Sequence, residues 1–392
     1  MTTESTHSSH VGVVAQIARE IGAPAADSVD REARFPAEAV DALKKARMMS
    51  ALVPRELGGF GCGMIELAAM CEALAQHCAA AGMVFSMHHI QVASVLRHAM
   101  GQPYYQAYIR DLVEKQYLIA SATSEVGIGG EMRTSHCAVQ RLGDGRFKLD
   151  KDCSTISYGA QADDILFQAR RGPDSPPNDQ IFVLVRKKDY ALTQKGSWDT
   201  LGMRGTCSPP FLLNSSGEEG QIFTTPFADV ATETQVPFSH ILWSSVWLGI
   251  ATAAVTRARA YVRQQARAKP GTLPPAALRL AEVSSMLQTM RTNVHDVASE
   301  CEGLMRDEKA GTAALSSISF ALKMNNLKVS SSQVAVQIIH HALLICGIMG
   351  YKNDSKFAVG RHLRDAHSAA LMVNNDRIFA TNASMLLVLK DD

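Results

Sequence analysis

The stretch DILFQARRGPDSPPNDQIFVLVRK, residues 164–187, sets two apolar runs on either side of a Gly-, Pro- and Asp-rich break. Runs of this length suit strands and are too short for buried helices, and the break is made of turn residues. Similar runs flank it: YLIASATS from 117, HCAVQRL from 136, RFKLD from 146, FLLN from 211 and QIFTTP from 221, with a GDG turn at 143–145. No long helical pattern interrupts them, which argues against a doubly wound parallel sheet. The expectation is an antiparallel sandwich or barrel-like β domain over residues 117–235.

Helical spacing dominates on both sides of this region. Upstream, Val11, Val14, Ile17, Ala18 and Ile21 share one face, and helical runs follow at 37–46, 65–78, 83–100 and 104–114. The breaks are PRELGGFG at 54–61 and Gly101-Gln102-Pro103. Residues 1–116 therefore read as a helical domain with frayed ends at 1–10. Downstream, Leu280, Val283, Leu287, Met290, Val294, Val297, Cys301 and Leu304 alternate steps of three and four, a heptad seam. Leu327, Val334, Ile338 and Ile345 extend the pattern to a second long helix. Residues 236–392 read as an antiparallel helix bundle, and the whole chain as an α+β multi-domain protein.

Composition narrows the function. The 392 residues carry 39 Lys plus Arg against 38 Asp plus Glu, a net charge of +1, so no basic excess suits a nucleic acid. Eight cysteines are scattered without a CxxC, which reads as reduced, buried thiols in a cytoplasmic protein. Ile241–Val255 is apolar but only 15 residues long and contains Ser244 and Ser245, so it reads as a buried core helix and no membrane span is expected. The pairs His88-His89 and His340-His341 are adjacent, so on a helix their rings point about 100° apart, and no metal is expected. Gly127-Ile128-Gly129-Gly130 misses GxGxxG because Met132 holds the last place, and no GxSxG is present.

Five segments, in order, resemble motifs of the acyl-CoA dehydrogenase superfamily of flavoproteins. They are DREARFPAEAVDALKKARMMSALVPRELGGFG (30–61), ATSEVGIGGEM (122–132), DCSTISYGAQADDILF (152–167), LGMRGTCS (201–208) and the pair ICGIMGY (345–351) with RHLRDA (361–366). The resemblance implies an FAD cofactor, with FMN the lesser alternative. It carries flavin contacts to Thr123, Ser124, Gly129, Gly130, Thr155, Ser157 and Asn375, and a neighbouring subunit's FAD to Gly347 and Gly350. Thr155 stands where the family has a Trp beside the flavin ring. Met372 and Val373 fall on the substrate side. The resemblance also implies a homotetramer or homodimer, an acyl-CoA or carrier-linked acyl substrate, and an electron-transfer flavoprotein or flavin reductase as redox partner.

The departures concern the chemistry. Counting from Arg364-Asp365-Ala366, the family's catalytic Glu becomes Val373, followed by Asn374-Asn375-Asp376. Counting back from Leu248-Gly249, the alternative base position of some relatives falls on Ser239 and His240. Valine accepts no proton. The family's E-R-x-x-F-G segment reads Gln264-Gln265-Ala266-Arg267-Ala268-Lys269. The leading expectation is an FAD-dependent oxidoreductase acting on an acyl thioester, with His240 or Asp376 as stand-in bases. The alternative is a flavin-dependent monooxygenase of the same fold, with His88 or His89 and Ser157 in its pocket. A third is a scaffold that binds without flavin.

Overall fold

A computed structural model of the chain describes residues 4–128 and 131–389. Six helices come first: α1 (Glu4–Ile17), α2 (Ala23–Arg31), α3 (Ala37–Lys45), α4 (Met64–Ala75), α5 (Ala79–His98) and α6 (Pro103–Lys115). Pro103 opens α6, where its missing N–H is not needed, and Gln116 in left-handed conformation ends it. From Ala79 to Val95 every residue of α5 is buried, including His88, His89 and Gln91.

Eight strands follow: β1 (Ile119–Ser121), β2 (Gln140–Arg141), β3 (Arg146–Cys153), β4 (Asp164–Arg170), β5 (Gln180–Arg186), β6 (Tyr190–Gln194), β7 (Phe211–Glu218) and β8 (Ile222–Pro226). They form two sheets ordered β1-β4-β5-β8 and β2-β3-β7-β6. The 164–187 stretch is the β4–β5 hairpin, in register from Asp164 against Arg186 to Arg170 against Gln180. Its alternate residues serve two cores. Ile165, Phe167, Val183 and Val185 pack into the main core, whereas Leu166, Phe182 and Leu184 pack with Tyr105, Tyr108 and Ile109 of α6. A strand's period of two makes this division. One pair departs from the antiparallel expectation: β1 runs parallel to β4. Residues 122–163 visit the second sheet before β4 returns beside β1, and a connection of that length permits parallel pairing.

Helix resumes with α7 (Phe227–Val230) and α8 (Val236–Ala268), then α9 (Ala276–Arg306), α10 (Glu308–Leu315), α11 (Ile318–Cys346), α12 (Ile348–Tyr351), α13 (Gly360–His367) and α14 (Asn375–Leu386). The heptad residues of α9 from Val283 to Cys301 are buried. Ile241–Val255 lies inside the 33-residue α8, so the length argument against a span fails there; burial makes the distinction. By length and composition α5, the run Phe227–Ala268 and α11 are each apolar enough to cross a membrane, but 94%, 89% and 50% of their apolar windows are buried within the fold.

The three parts meet at one junction. Arg364 of α13 pairs with Asp30 of α2, the Met203 N–H donates to Asp365 Oδ1 at 2.7 Å, and Arg204 Nε donates to the Asp30 carbonyl at 2.9 Å. Gly202 passes so near α13 that an added Cβ would lie 2.1 Å from the Arg364 carbonyl oxygen, so only glycine fits. Burial pushes the Asp365 carboxyl up to about 6.

Candidate functional site

On the side where the loop after β1 meets the end of β3, the two matched segments interlock. Ser124 Oγ donates to the Thr155 carbonyl at 2.7 Å, and the Thr155 N–H donates back to Ser124 Oγ at 3.0 Å. Their hydroxyls lie 3.1 Å apart. The loop is anchored from beneath by Glu125, which accepts from Ser135 Oγ (2.7 Å) and from the backbone N–H groups of His136 (3.0 Å) and Cys137 (2.7 Å). Lys151 of β3, fully buried, lies 3.8 Å from Glu125 and donates to the Gln168 carbonyl. Gln168 Nε2 in turn donates to the Thr123 carbonyl at 2.7 Å. Sequence reasoning missed this pair; the signal was Lys151, which falls on the inward phase of β3 with Phe147, Leu149 and Cys153. Gly129 and Gly130 lie outside the described residues.

Two residues past Thr155, Ser157 continues the row of hydroxyls. Thr206 Oγ1 and Ser208 Oγ lie 2.9 Å apart, and Ser208 Oγ donates to Ser157 Oγ at 2.9 Å. Ser157 is half-buried and accepts from Ser208, and its own hydroxyl proton has no acceptor among the described residues. The turn beneath holds three non-glycine residues at positive φ: Tyr158 (42°), Met203 (50°) and Cys207 (45°). The Tyr158 N–H donates to the Thr206 carbonyl at 2.7 Å, tying the strained pieces together.

The three candidate histidines are each held by the backbone. His88 Nδ1 accepts the Ile119 N–H at 3.1 Å, so Nε2 carries the proton and donates to the Met49 carbonyl at 2.8 Å. Both nitrogens are engaged, and burial pushes its pKa to about 4. His89 donates from Nε2 to the Met48 carbonyl at 3.0 Å, and burial, then His88 beside it, lower it well below the usual range. His240 donates from Nδ1 to the Met324 carbonyl at 3.1 Å and is lowered by burial to about 4. All three are buried ties between a helix and a backbone carbonyl.

The C-terminal candidates separate. Val373 is part-exposed with φ +46° in a turn before α14, and Met372 packs on the core edge. Asp376 is exposed in the first turn of α14, where an acid suits the helix dipole, and its N–H is capped by Asn374 Oδ1 at 2.7 Å. Asn375 is bound within the fold: Oδ1 accepts from Lys328 Nζ at 2.6 Å, and Nδ2 donates to Ser332 Oγ at 3.0 Å. Lys328, unremarked in the sequence, is fully buried and also donates to the Val373 carbonyl at 2.7 Å. Gly347 caps α11 and Gly350 lies in α12, with Leu344, Ile348 and Tyr351 exposed around them.

The hydroxyls of Ser124, Thr155 and Ser157, fixed on the rim of a β sandwich flanked by helical domains, fit a flavin's need for rigid donors beside an apolar fold. The arrangement defines a three-part flavoprotein oxidoreductase. The chain belongs to the acyl-CoA dehydrogenase family, whose cofactor is FAD: it matches the acyl-CoA dehydrogenase N-terminal domain over residues 5–116 and the C-terminal domain over residues 229–373. It is 24% identical over 368 residues to an acyl-CoA dehydrogenase of Bacillus subtilis, covering 90% of each chain. It is 23% identical to a mitochondrial isovaleryl-CoA dehydrogenase of Solanum tuberosum, covering 90% of this chain and 83% of the relative. Among solved structures it resembles butyryl-CoA dehydrogenase from Megasphaera elsdenii (TM-score 0.84, 18% identity, 99% of each chain). FMN-bound TdsC from Paenibacillus sp. A11-2 is similarly related (TM-score 0.83, 18% identity, 96% of each chain).

Proposed function

We propose that this protein is an FAD-dependent oxidoreductase acting on a coenzyme A- or carrier-linked acyl thioester. The observation that carries it is the interlocked hydroxyl set of Ser124, Thr155 and Ser157, held by Glu125–Lys151 on one side and Ser208–Thr206 on the other. Ser157 offers its proton to the flavin edge, and Ser124 with Thr155 fixes the neighbouring backbone. Bound flavin supplies two-electron redox chemistry, either accepting reducing equivalents from substrate or, once reduced, acting on oxygen.

The residues bearing on the substrate proton favour a second reading. At the family's base position stands Val373, its carbonyl engaged by Lys328. The alternative position lies on α8, which carries no Asp or Glu from Val236 to Ala268. A site without an α-carbon base suits a flavin-dependent monooxygenase, which needs none. TdsC, a dibenzothiophene monooxygenase, shares the fold.

Either reading takes a small organic substrate, and we assign the protein to the cytoplasm, its eight cysteines free. Dehydrogenation calls for an electron-transfer flavoprotein and monooxygenation for a flavin reductase. The exposed apolar side chains at the ends of α11 and α14 support a homotetramer. Anaerobic mixing of FAD-loaded protein with an acyl-CoA panel tests the first reading by flavin bleaching. Oxygen-dependent product formation with a flavin reductase tests the second. No bound flavin after incubation with FAD or FMN defeats both.

A further inference from the structure

A second cluster lies away from the hydroxyl face, where α1 crosses the entry to α4. His10 on α1, Cys62 just before α4 and Glu66 in its first turn bring one donor atom each to within 4.8 Å of the other two. His10 Nδ1 and Cys62 Sγ are 3.8 Å apart. Tetrahedral zinc, with bonds of about 2.3 Å to sulfur and about 2.0–2.2 Å to nitrogen or oxygen, sets its ligand atoms roughly 3.3–3.8 Å apart, so the observed spacing needs only a small side-chain adjustment.

The three side chains are positioned by contacts of their own. The His10 ring stacks on Phe60 with centroids 4.4 Å apart, which aims Nδ1 inward. Cys62 is 3% exposed, and its N–H donates to the Ala51 carbonyl at 2.9 Å. Glu66 is held by the Gly63 N–H at 3.3 Å. Glu66, Gly61 and Gly63 also line a cavity of about 500 Å³, which leaves room for water as a fourth ligand. Across that cavity Glu302 is engaged by the Ile65 N–H and Arg306.

We propose that His10, Cys62 and Glu66 form a zinc-type metal site that joins α1 to α4. One thiolate, one imidazole and one carboxylate are the donors of a borderline-soft ion, and a single carboxylate is too little for calcium or magnesium. On binding, the Cys62 S–H bond gives way to a sulfur–metal bond, the proton passes to buffer and no electrons move. Local sequence pattern does not show the site, because it joins residues 52 positions apart. It is independent of the flavin reading.

The test is an anaerobic titration of chelator-treated, full-length holoprotein with Co²⁺, read as difference spectra against the flavin. One equivalent should produce sulfur-to-cobalt charge transfer in the near ultraviolet with tetrahedral d–d bands, and Zn²⁺ should displace it. Cys62→Ser should abolish the charge-transfer band. His10→Gln, a change at a part-exposed helix position, should weaken Co²⁺ by at least about 10-fold, the loss seen for even indirect partners of a metal. Cys207→Ser should leave both unchanged. No charge-transfer band at one equivalent, a band that survives Cys62→Ser, or unaltered affinity in His10→Gln would each overturn the assignment. Should Cys62→Ser not fold, the His10→Gln affinity decides alone.

Discussion

Lys328→Met makes the sharpest test of how the C-terminal turn is held. The Lys328 ammonium is fully buried, 5.9 Å from the centre of the Trp247 ring, and bonds only neutral acceptors, the Val373 carbonyl and Asn375 Oδ1. Burial lowers its pKa to about 8 from 10.5. At about 1.36 kcal/mol per unit, holding the charge in the fold costs about 3 kcal/mol at neutral pH. Below pH 8 both folded and unfolded chains are protonated and that cost is fully present. Between 8 and 10.5 the unfolded chain binds more protons, so this group makes the protein more stable as pH rises. Methionine removes the cost but takes the lysine donor from the part-buried Val373 carbonyl and from Asn375 Oδ1, which keeps only Ser332 Oγ at 3.4 Å, at roughly 1–3 kcal/mol each. It also releases the turn at Val373, whose left-handed conformation costs about 1–3 kcal/mol.

At pH 7 these terms oppose one another, and the variant should range from about 4 kcal/mol more stable to about 2 kcal/mol less. The pH slope is the discriminating quantity. The stability of wild type minus that of Lys328→Met should grow by about 2–3 kcal/mol between pH 7 and pH 10. Urea unfolding at pH 7, 8, 9 and 10 measures it, because the other titrating groups cancel in the difference. A difference constant to within about 0.5 kcal/mol would refute the buried, carboxylate-free ammonium.

Ser157→Ala should weaken FAD binding about 10-fold, the value of one good hydrogen bond, by flavin fluorescence titration, while the exposed Ser154→Ala should not. Wild type mixed anaerobically with saturated acyl-CoAs should bleach its flavin about 10²–10⁴-fold more slowly than an enzyme with a general base, and Val373→Glu should recover part of the rate in stopped flow. Asp30→Ala, which strands Arg364 at the three-part junction, should lower stability by about 2 kcal/mol in denaturant titration. Light scattering at micromolar concentration should give a tetramer mass, and Ile348→Glu, at a 68% exposed position, should reduce it.

What the sequence determined by itself is what local period and composition control. The alternation in 164–187 specifies strands because successive side chains must face opposite cores. The three-four steps from Leu280 to Leu304 specify a bundle helix because only that spacing keeps one face continuously buried. The motif series carried the family because it spans the whole chain in order. Tertiary structure alone decided the fate of the polar groups. His88, His89 and His240 were candidates by position alone, and the fold bonds each to a backbone carbonyl. Asn375 was a flavin contact by resemblance, and the fold brings Lys328 of α11 to it. Asp30 with Arg364, Glu125 with Lys151 and His10 with Cys62 are joined across long separations, as is β1 with β4. An apolar side chain needs only to be out of water, so its periodicity suffices to place it. A buried polar group needs one particular partner at hydrogen-bond distance, and that partner is chosen by which distant segment the fold brings alongside.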